Sequence, residues 1–139
     1  MKQTTIFLFG YCFLCAVFHQ GCSKQEISLS SQMSLKNSDV DFQGTAFGLH
    51  PIVNNPIAKI IIKSKDSNID DRLFEMLDDE NTFVVAHVLL SYRYKIEREN
   101  SVESWDGLKV EILADNEEVI DSRQRAELKK MWAKRLSKR

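Results

Sequence analysis

The apolar positions along this chain change spacing several times, and each change predicts a different element. Residues 6–18 (IFLFGYCFLCAVF) form an uncharged run of thirteen, preceded by Lys2. A spanning helix takes about 20 apolar residues; a shorter run behind a positive residue is the pattern of an export signal. Over 23–41 the apolar residues Ile27, Leu29, Met33 and Leu35 are scattered among Ser, Lys, Gln and Asp. Such a stretch buries too little to offset its ordering entropy and reads as a flexible tether. Residues 42–49 (FQGTAFGL) read as an irregular segment whose Phe42 and Phe47 rings plug the domain. His50-Pro51 and Asn55-Pro56 are turn signals.

Helical spacing then takes over. Residues 57–63 (IAKIIIK) suit a strand by their β-branching, but Asn55 as cap and Pro56 as first helical residue favour a short helix. In 68–77, Ile69, Leu73, Met76 and Leu77 share one helical face. Asp70 and Asp71 lie in its first turn, where they oppose the positive end of the helix dipole. The acidic stretch 78–81 reads as a turn. Residues 83–94 (FVVAHVLLSYRY) are apolar on nearly every side, which predicts a central, buried helix.

Downstream, 95–103 is charged and reads as a helix end and loop. Leu108, Val110 and Ile112 alternate with Lys109 and Glu111, the pattern of a half-buried strand. Asp115-Asn116 is a turn signal and 118–120 a short return strand, so a β-hairpin is expected near 107–120. Asp121-Ser122 caps a last helix over 123–137, with Leu128, Met131, Trp132 and Leu136 as its apolar stripe. Its end carries Lys134, Arg135, Lys138 and Arg139, a sign that suits a helix C-terminus. The expected fold is therefore mainly α with a small β-hairpin: a signal over 1–21, a tether over 22–41 and one helical domain over 42–139.

Two resemblances add to this reading. The run 72–90 (RLFEMLDDENTFVVAHVLL) is similar to a single HEAT-type helical repeat. Leu77, Asp79, Val84 or Val85 and the small Ala86 stand near the places such repeats fill. The similarity spans residues 57–96 and implies an antiparallel helix pair without catalytic content. A solenoid takes about three stacked units, so one HEAT-like pair joined to a C-terminal helix is the expectation. Second, His19-Gln20-Gly21-Cys22 after the apolar run resembles a bacterial lipoprotein signal. That resemblance implies a lipid on Cys22 and attachment to a cell-envelope membrane. His19 departs from it, since an aliphatic residue is usual there. Plain secretion with cleavage after Ser23 is the rival, and an uncleaved anchor the third reading.

Charge and composition narrow the function. With 19 basic and 20 acidic residues in 139, the formal net charge is −1, which argues against a nucleic-acid binder. The three cysteines are Cys12, Cys15 and Cys22. Removal of the signal leaves one, so no internal disulfide is expected, and Cys12-x-x-Cys15 sits in an apolar run unsuited to redox or zinc chemistry. Asp66, Asn68 and Asp70 match the first three positions of a calcium loop. Asp71 then stands where Gly is needed and Leu77 where a bidentate Glu is needed. A zinc site would draw on His50 or His87 with carboxylates at unsupported spacings. No nucleophile-elbow, zincin or P-loop motif is present. No catalytic residue, metal or cofactor is expected. The functional reading is a non-enzymatic scaffold or protein-interaction module, held at a membrane by its N-terminal lipid. Trp105, Trp132 and His87 are its candidate surface residues, core packing being the other role for each. The alternative is a small metal-binding or enzymatic protein with a site drawn from Asp66, Asp70, Asp78 and His87.

Overall fold

The computed structural model describes residues 33–95 and 101–138. The expected signal, Cys22 and the first part of the tether lie outside the described residues. Ten elements follow: β1 (Val40–Thr45), β2 (Gly48–Val53), α1 (Pro56–Lys63), α2 (Ser67–Met76), α3 (Phe83–Tyr94), β3 (Ser104–Trp105), β4 (Leu108–Lys109), β5 (Glu111–Ile112), β6 (Glu118–Val119) and α4 (Arg125–Leu136).

Helix α3 is the centre. All of its residues from Phe83 to Ser91 are buried, as expected of a helix apolar all round, and α1 and α2 both pack on it. Antiparallel packing of α2 on α3 is fixed at both ends. Thr82 at the start of α3 donates its hydroxyl to the Met76 carbonyl at the end of α2, and Arg93 and Tyr94 at the end of α3 reach Asp70 in the first turn of α2. Thr82 does not cap α3 with its own side chain. Instead Asn37 accepts from the Val84 N–H at 2.9 Å while its amide donates to the Glu80 carbonyl. A residue 47 positions away thus satisfies a donor that helix ends leave open. Helix α1 starts as the sequence suggests: Pro56 is its first residue and Asn55 accepts from the Ile57 N–H at 2.9 Å.

The fold is not mainly α with one hairpin. Among the described residues it is mixed, with four α-helices and three small antiparallel strand pairs. The largest pair is β1–β2, in the region expected to be an irregular plug. Alternation explains it: Val40 and Phe42 point inward while Asp41 and Gln43 point out. The tight turn at Ala46-Phe47 is completed by Gly48 at φ 102. Pro51, expected in a turn, lies within β2 opposite Phe42. A proline is tolerated there because that pair does not bond across the ladder. The Phe42 N–H points away from it to the Glu118 carboxylate at 2.5 Å, and the Pro51 carbonyl accepts from the Tyr92 hydroxyl at 3.1 Å. Phe42 joins the core, but Phe47 projects into solvent at the turn. Residues 33–41, read from sequence as the end of a tether, are built into the fold, with Leu35 and Val40 buried.

The expected hairpin near 107–120 is two hairpins. Asp106-Gly107, at φ 48 and 87, forms a tight turn joining β3 to β4. Positive φ at both central residues is what an Asp-Gly turn accommodates. The chain then changes partner at Val110, whose N–H donates to the Glu103 carbonyl, and β5 pairs with β6.

Candidate functional site

The most polar part of the interior lies where α3, α4 and the β3–β4 turn meet. His87, Ser91 and Asp106 are the buried polar residues, beside Trp105 and Trp132. Helical spacing puts His87 and Ser91 on one face of α3, one turn apart. The Asp106-Gly107 turn swings the Asp106 carboxylate onto that face, and α4 lays Trp132 and Arg135 across it.

The contacts are specific. The Trp132 indole N–H donates to His87 Nδ1 at 2.9 Å. An indole nitrogen only donates, so Nδ1 is the bare nitrogen and the proton sits on Nε2. That nitrogen faces the Trp105 carbonyl at 3.5 Å, a long contact. The Ser91 hydroxyl donates to Asp106 at 2.6 Å. Arg135 grips the same carboxylate with two nitrogens, at 2.9 and 3.0 Å. Its guanidinium also lies 4.9 Å over the Trp132 ring centroid, the geometry of a cation–π contact. Trp105 meets His87 edge-on with centroids 5.6 Å apart.

Burial holds the His87 pKa down to about 4, from 6.5. The Asp106 charge and the Trp105 carbonyl push it the other way, and Arg135 pushes it down again. The imidazole is therefore neutral at pH 7, with its bare nitrogen engaged by an indole. This arrangement locks three elements together; it does not present a base to a substrate.

A second polar knot ties α1, α2 and α3. Arg93 donates from Nε to Asp70 at 2.5 Å, and its terminal nitrogens reach the carbonyls of Ile61, of Ser64 at 2.8 Å and of Asp66 at 3.2 Å. Tyr94 donates its hydroxyl to the other Asp70 oxygen at 2.5 Å. One guanidinium so satisfies carbonyls that the end of α1 leaves open.

The candidates named from the sequence fall as follows. Trp105, Trp132 and His87 come together, but in the interior, so none of them presents an interaction surface. Cys22 lies outside the described residues. Asp66, Asp70, Asp78 and His87 do not converge. Asp66 caps α2 through the Asn68 N–H, Asp70 is held by Arg93 and Tyr94, and Asp78 pairs with Lys129 of α4. Among the described residues no group of three or more His, Cys, Asp or Glu side chains is placed to hold a metal ion. Two residues that sequence reasoning missed are Asp106 and Arg93. Asp106 carried a signal in the Asp-Gly dipeptide; Arg93 carried none, since nothing local says which way an arginine at a helix end will turn.

On the outside, an open hollow at the end of α1 is lined by Lys59, Ile60, Lys63 and Ser64. The β5–β6 hairpin exposes Ile112, Leu113 and Val119. Register puts Leu113 and Val119 on one face of that hairpin. Glu118 points the other way, to β1, and its burial there raises its pKa. Among the described residues no helix is long and apolar enough to cross a membrane. Neither a family model, nor a curated protein, nor a solved structure matches this chain.

Proposed function

We propose that this protein is a non-catalytic interaction module, carried to the cell envelope by its N-terminal signal and held there by a lipid on Cys22. The HEAT-like reading of the α2–α3 pair belongs to the same proposal. One observation supports it above the others. The β5–β6 hairpin offers a partly exposed apolar face, with Leu113 at 38% and Val119 at 45% exposure. His87, Ser91 and Asp106 are meanwhile engaged with Trp132, Arg135 and one another. Register sets Glu111 opposite Val119 and Glu117 beside Leu113 on that face, so the partner surface pairs apolar groups with basic ones. Edge hairpins of this kind pair readily with another chain.

The experiment is capture from detergent-solubilised envelopes, comparing wild type with Leu113→Asp/Val119→Asp. The reading expects a specific partner retained by wild type and lost by the double variant at unchanged thermal stability. Equal recovery by both proteins would remove the hairpin from the reading. Truncating Trp132 would not serve here, because a fully buried indole leaves a destabilising cavity. The lipid is tested separately by fatty-acid labelling, which Cys22→Ala should abolish.

A further inference from the structure

Helix α4 sorts its cations by face. Arg125, Lys129 and Arg135 turn toward the domain and are engaged there: Arg125 with the Asp78 carbonyl at 2.6 Å, Lys129 with the Asp78 carboxylate, Arg135 with Asp106. They share that side with the buried Leu128 and Trp132. Lys130, Lys134 and Lys138 are exposed and, among the described residues, make no ion pair. Lys130 and Lys134 stand one turn apart on the outer face of the helix, and Lys138 follows in the turn just past Leu136, where α4 ends. Between them lie Ala133 and Ser137, also exposed, with Ala126 exposed one turn earlier. Glu127 is the single acid on that side of the helix; the nearby Asp121 is occupied by Arg123.

We infer that the outer face of α4 is a docking surface for an anionic lipid bilayer. Charge complementarity carries the assignment: three unengaged ammonium groups in a row meet a plane of negative headgroups. The shape of the row selects the bilayer over an acidic protein. Protein interfaces concentrate their affinity in large aromatic or arginine side chains seated in pockets. This face presents small residues, Ala133 and Ser137, between its lysines. A headgroup layer needs no matching shape; it responds to the number of charges within reach. The inference deepens the module reading only in naming the surface that a tethered domain would meet. A basic patch is a recognised second contact beside a lipid anchor.

The test compares partition of the full chain onto phosphatidylcholine vesicles with and without phosphatidylglycerol. Whatever the N-terminal segment contributes is common to both, so the ratio isolates the electrostatic part. Lys130→Gln/Lys134→Gln/Lys138→Gln should lower that ratio on the order of 100-fold at low salt. Arginine at the same three positions should keep it, and high salt should erase the difference. Lys59→Gln/Lys63→Gln/Lys65→Gln, which removes as many exposed charges elsewhere, should leave the ratio at the wild-type value. An unchanged ratio in the α4 variant, or an equal loss in the α1-side control, would overturn the inference. Soluble polyglutamate bound as tightly as the vesicles would overturn it in favour of an acidic protein. A failed vesicle result beside normal lipid labelling and partner capture removes this face alone. A normal vesicle result without either of those removes the module reading and leaves the face standing.

Discussion

Between α3 and α2 the arginine is the buried partner: the Arg93 side chain is 7% exposed and Asp70 20%. Between α4 and the β3–β4 turn the aspartate is: Asp106 is 4% exposed and Arg135 31%. The two pairs share their chemistry and differ in what depends on them. Arg93 serves one carboxylate and three backbone carbonyls from the α1–α2 junction, so one side chain ties the backbone of that junction to α3. Asp106 serves a serine and a guanidinium, and its guanidinium partner still touches water. A buried charge that loses its partner is costly, whereas a half-exposed one recovers much of its loss from solvent.

Arg93→Met gives the largest expected effect. It leaves Asp70 with the Tyr94 hydroxyl alone and takes the arginine donors from the carbonyls of Ile61, Ser64 and Asp66 together, and a cost of about 3–5 kcal/mol is expected from breaking a buried pair at one partner. Urea denaturation followed by circular dichroism reads it directly. Arg93→Lys should recover little, because a single ammonium cannot span the same fork of acceptors. A lysine variant close to wild type in midpoint would break the contrast, by showing that charge and not geometry matters at Arg93.

The second effect separates the pairs by pH. His87 lies beside Asp106, and Arg135 also acts on it, whereas Asp70 and Arg93 do not figure among the causes of its shift. Its pKa is about 4 in the folded protein against the ordinary 6.5. The folded state therefore favours the neutral ring. Above about pH 6.5 both states are neutral and the contribution is complete. As pH falls from 6.5 toward 4 the unfolded chain takes up a proton that the folded chain refuses. Stability then drops by about 1.4 kcal/mol per pH unit, roughly 3 kcal/mol in all. Thermal melts between pH 7 and 5, above most carboxylate titration, should show this slope in wild type. His87→Gln should be much flatter across the same range. Parallel slopes would mean that another group drives the acid loss.

How much of this was legible in the sequence follows the range of the interactions. Ile69, Leu73, Met76 and Leu77 announce α2, and the uninterrupted apolar surface of 83–90 announces a buried α3, because both patterns are local and periodic. Asn55-Pro56 announces α1 for the same reason. The β1–β2 pair was hidden by two glycines and a proline that usually punctuate loops; here Gly48 completes the turn and Pro51 occupies a position that needs no donor. The β3–β4 hairpin is half visible: the alternation at Leu108, Lys109 and Val110 is there, but its first strand is only two residues long ahead of the Asp106-Gly107 turn. The polar knots were not legible. Ser91 and Asp106, or His87 and Trp132, meet only because α4 folds back across α3, and no spacing along the chain encodes that return. Exposure followed the same rule. Two tryptophans are equally good as core or as surface until the helix that carries one of them is docked.

The smallest effect is at Arg135, and it tests the comparison from the other side. Arg135→Met removes two hydrogen bonds to Asp106 and the cation over Trp132. Asp106 keeps the Ser91 hydroxyl and water can enter where the half-exposed guanidinium stood, but the carboxylate itself is only 4% exposed, so about 2–3 kcal/mol is expected, below the Arg93 variant, which also takes donors from three carbonyls. The same substitution has a signature in the acid limb. Arg135 is among the influences that lower the His87 pKa, so its loss lets that pKa rise toward the ordinary value. The pH window over which folding refuses the proton narrows, and the slope between pH 7 and 5 becomes shallower although the variant is less stable at neutral pH. Arg93→Met should leave that slope as it is while lowering the whole curve. A double variant would then combine a vertical drop from one pair with a flattened limb from the other. If the Arg135 variant dropped without flattening, the two arginines would differ only in degree, and the network around His87 would not be electrostatically distinct from the knot at Asp70.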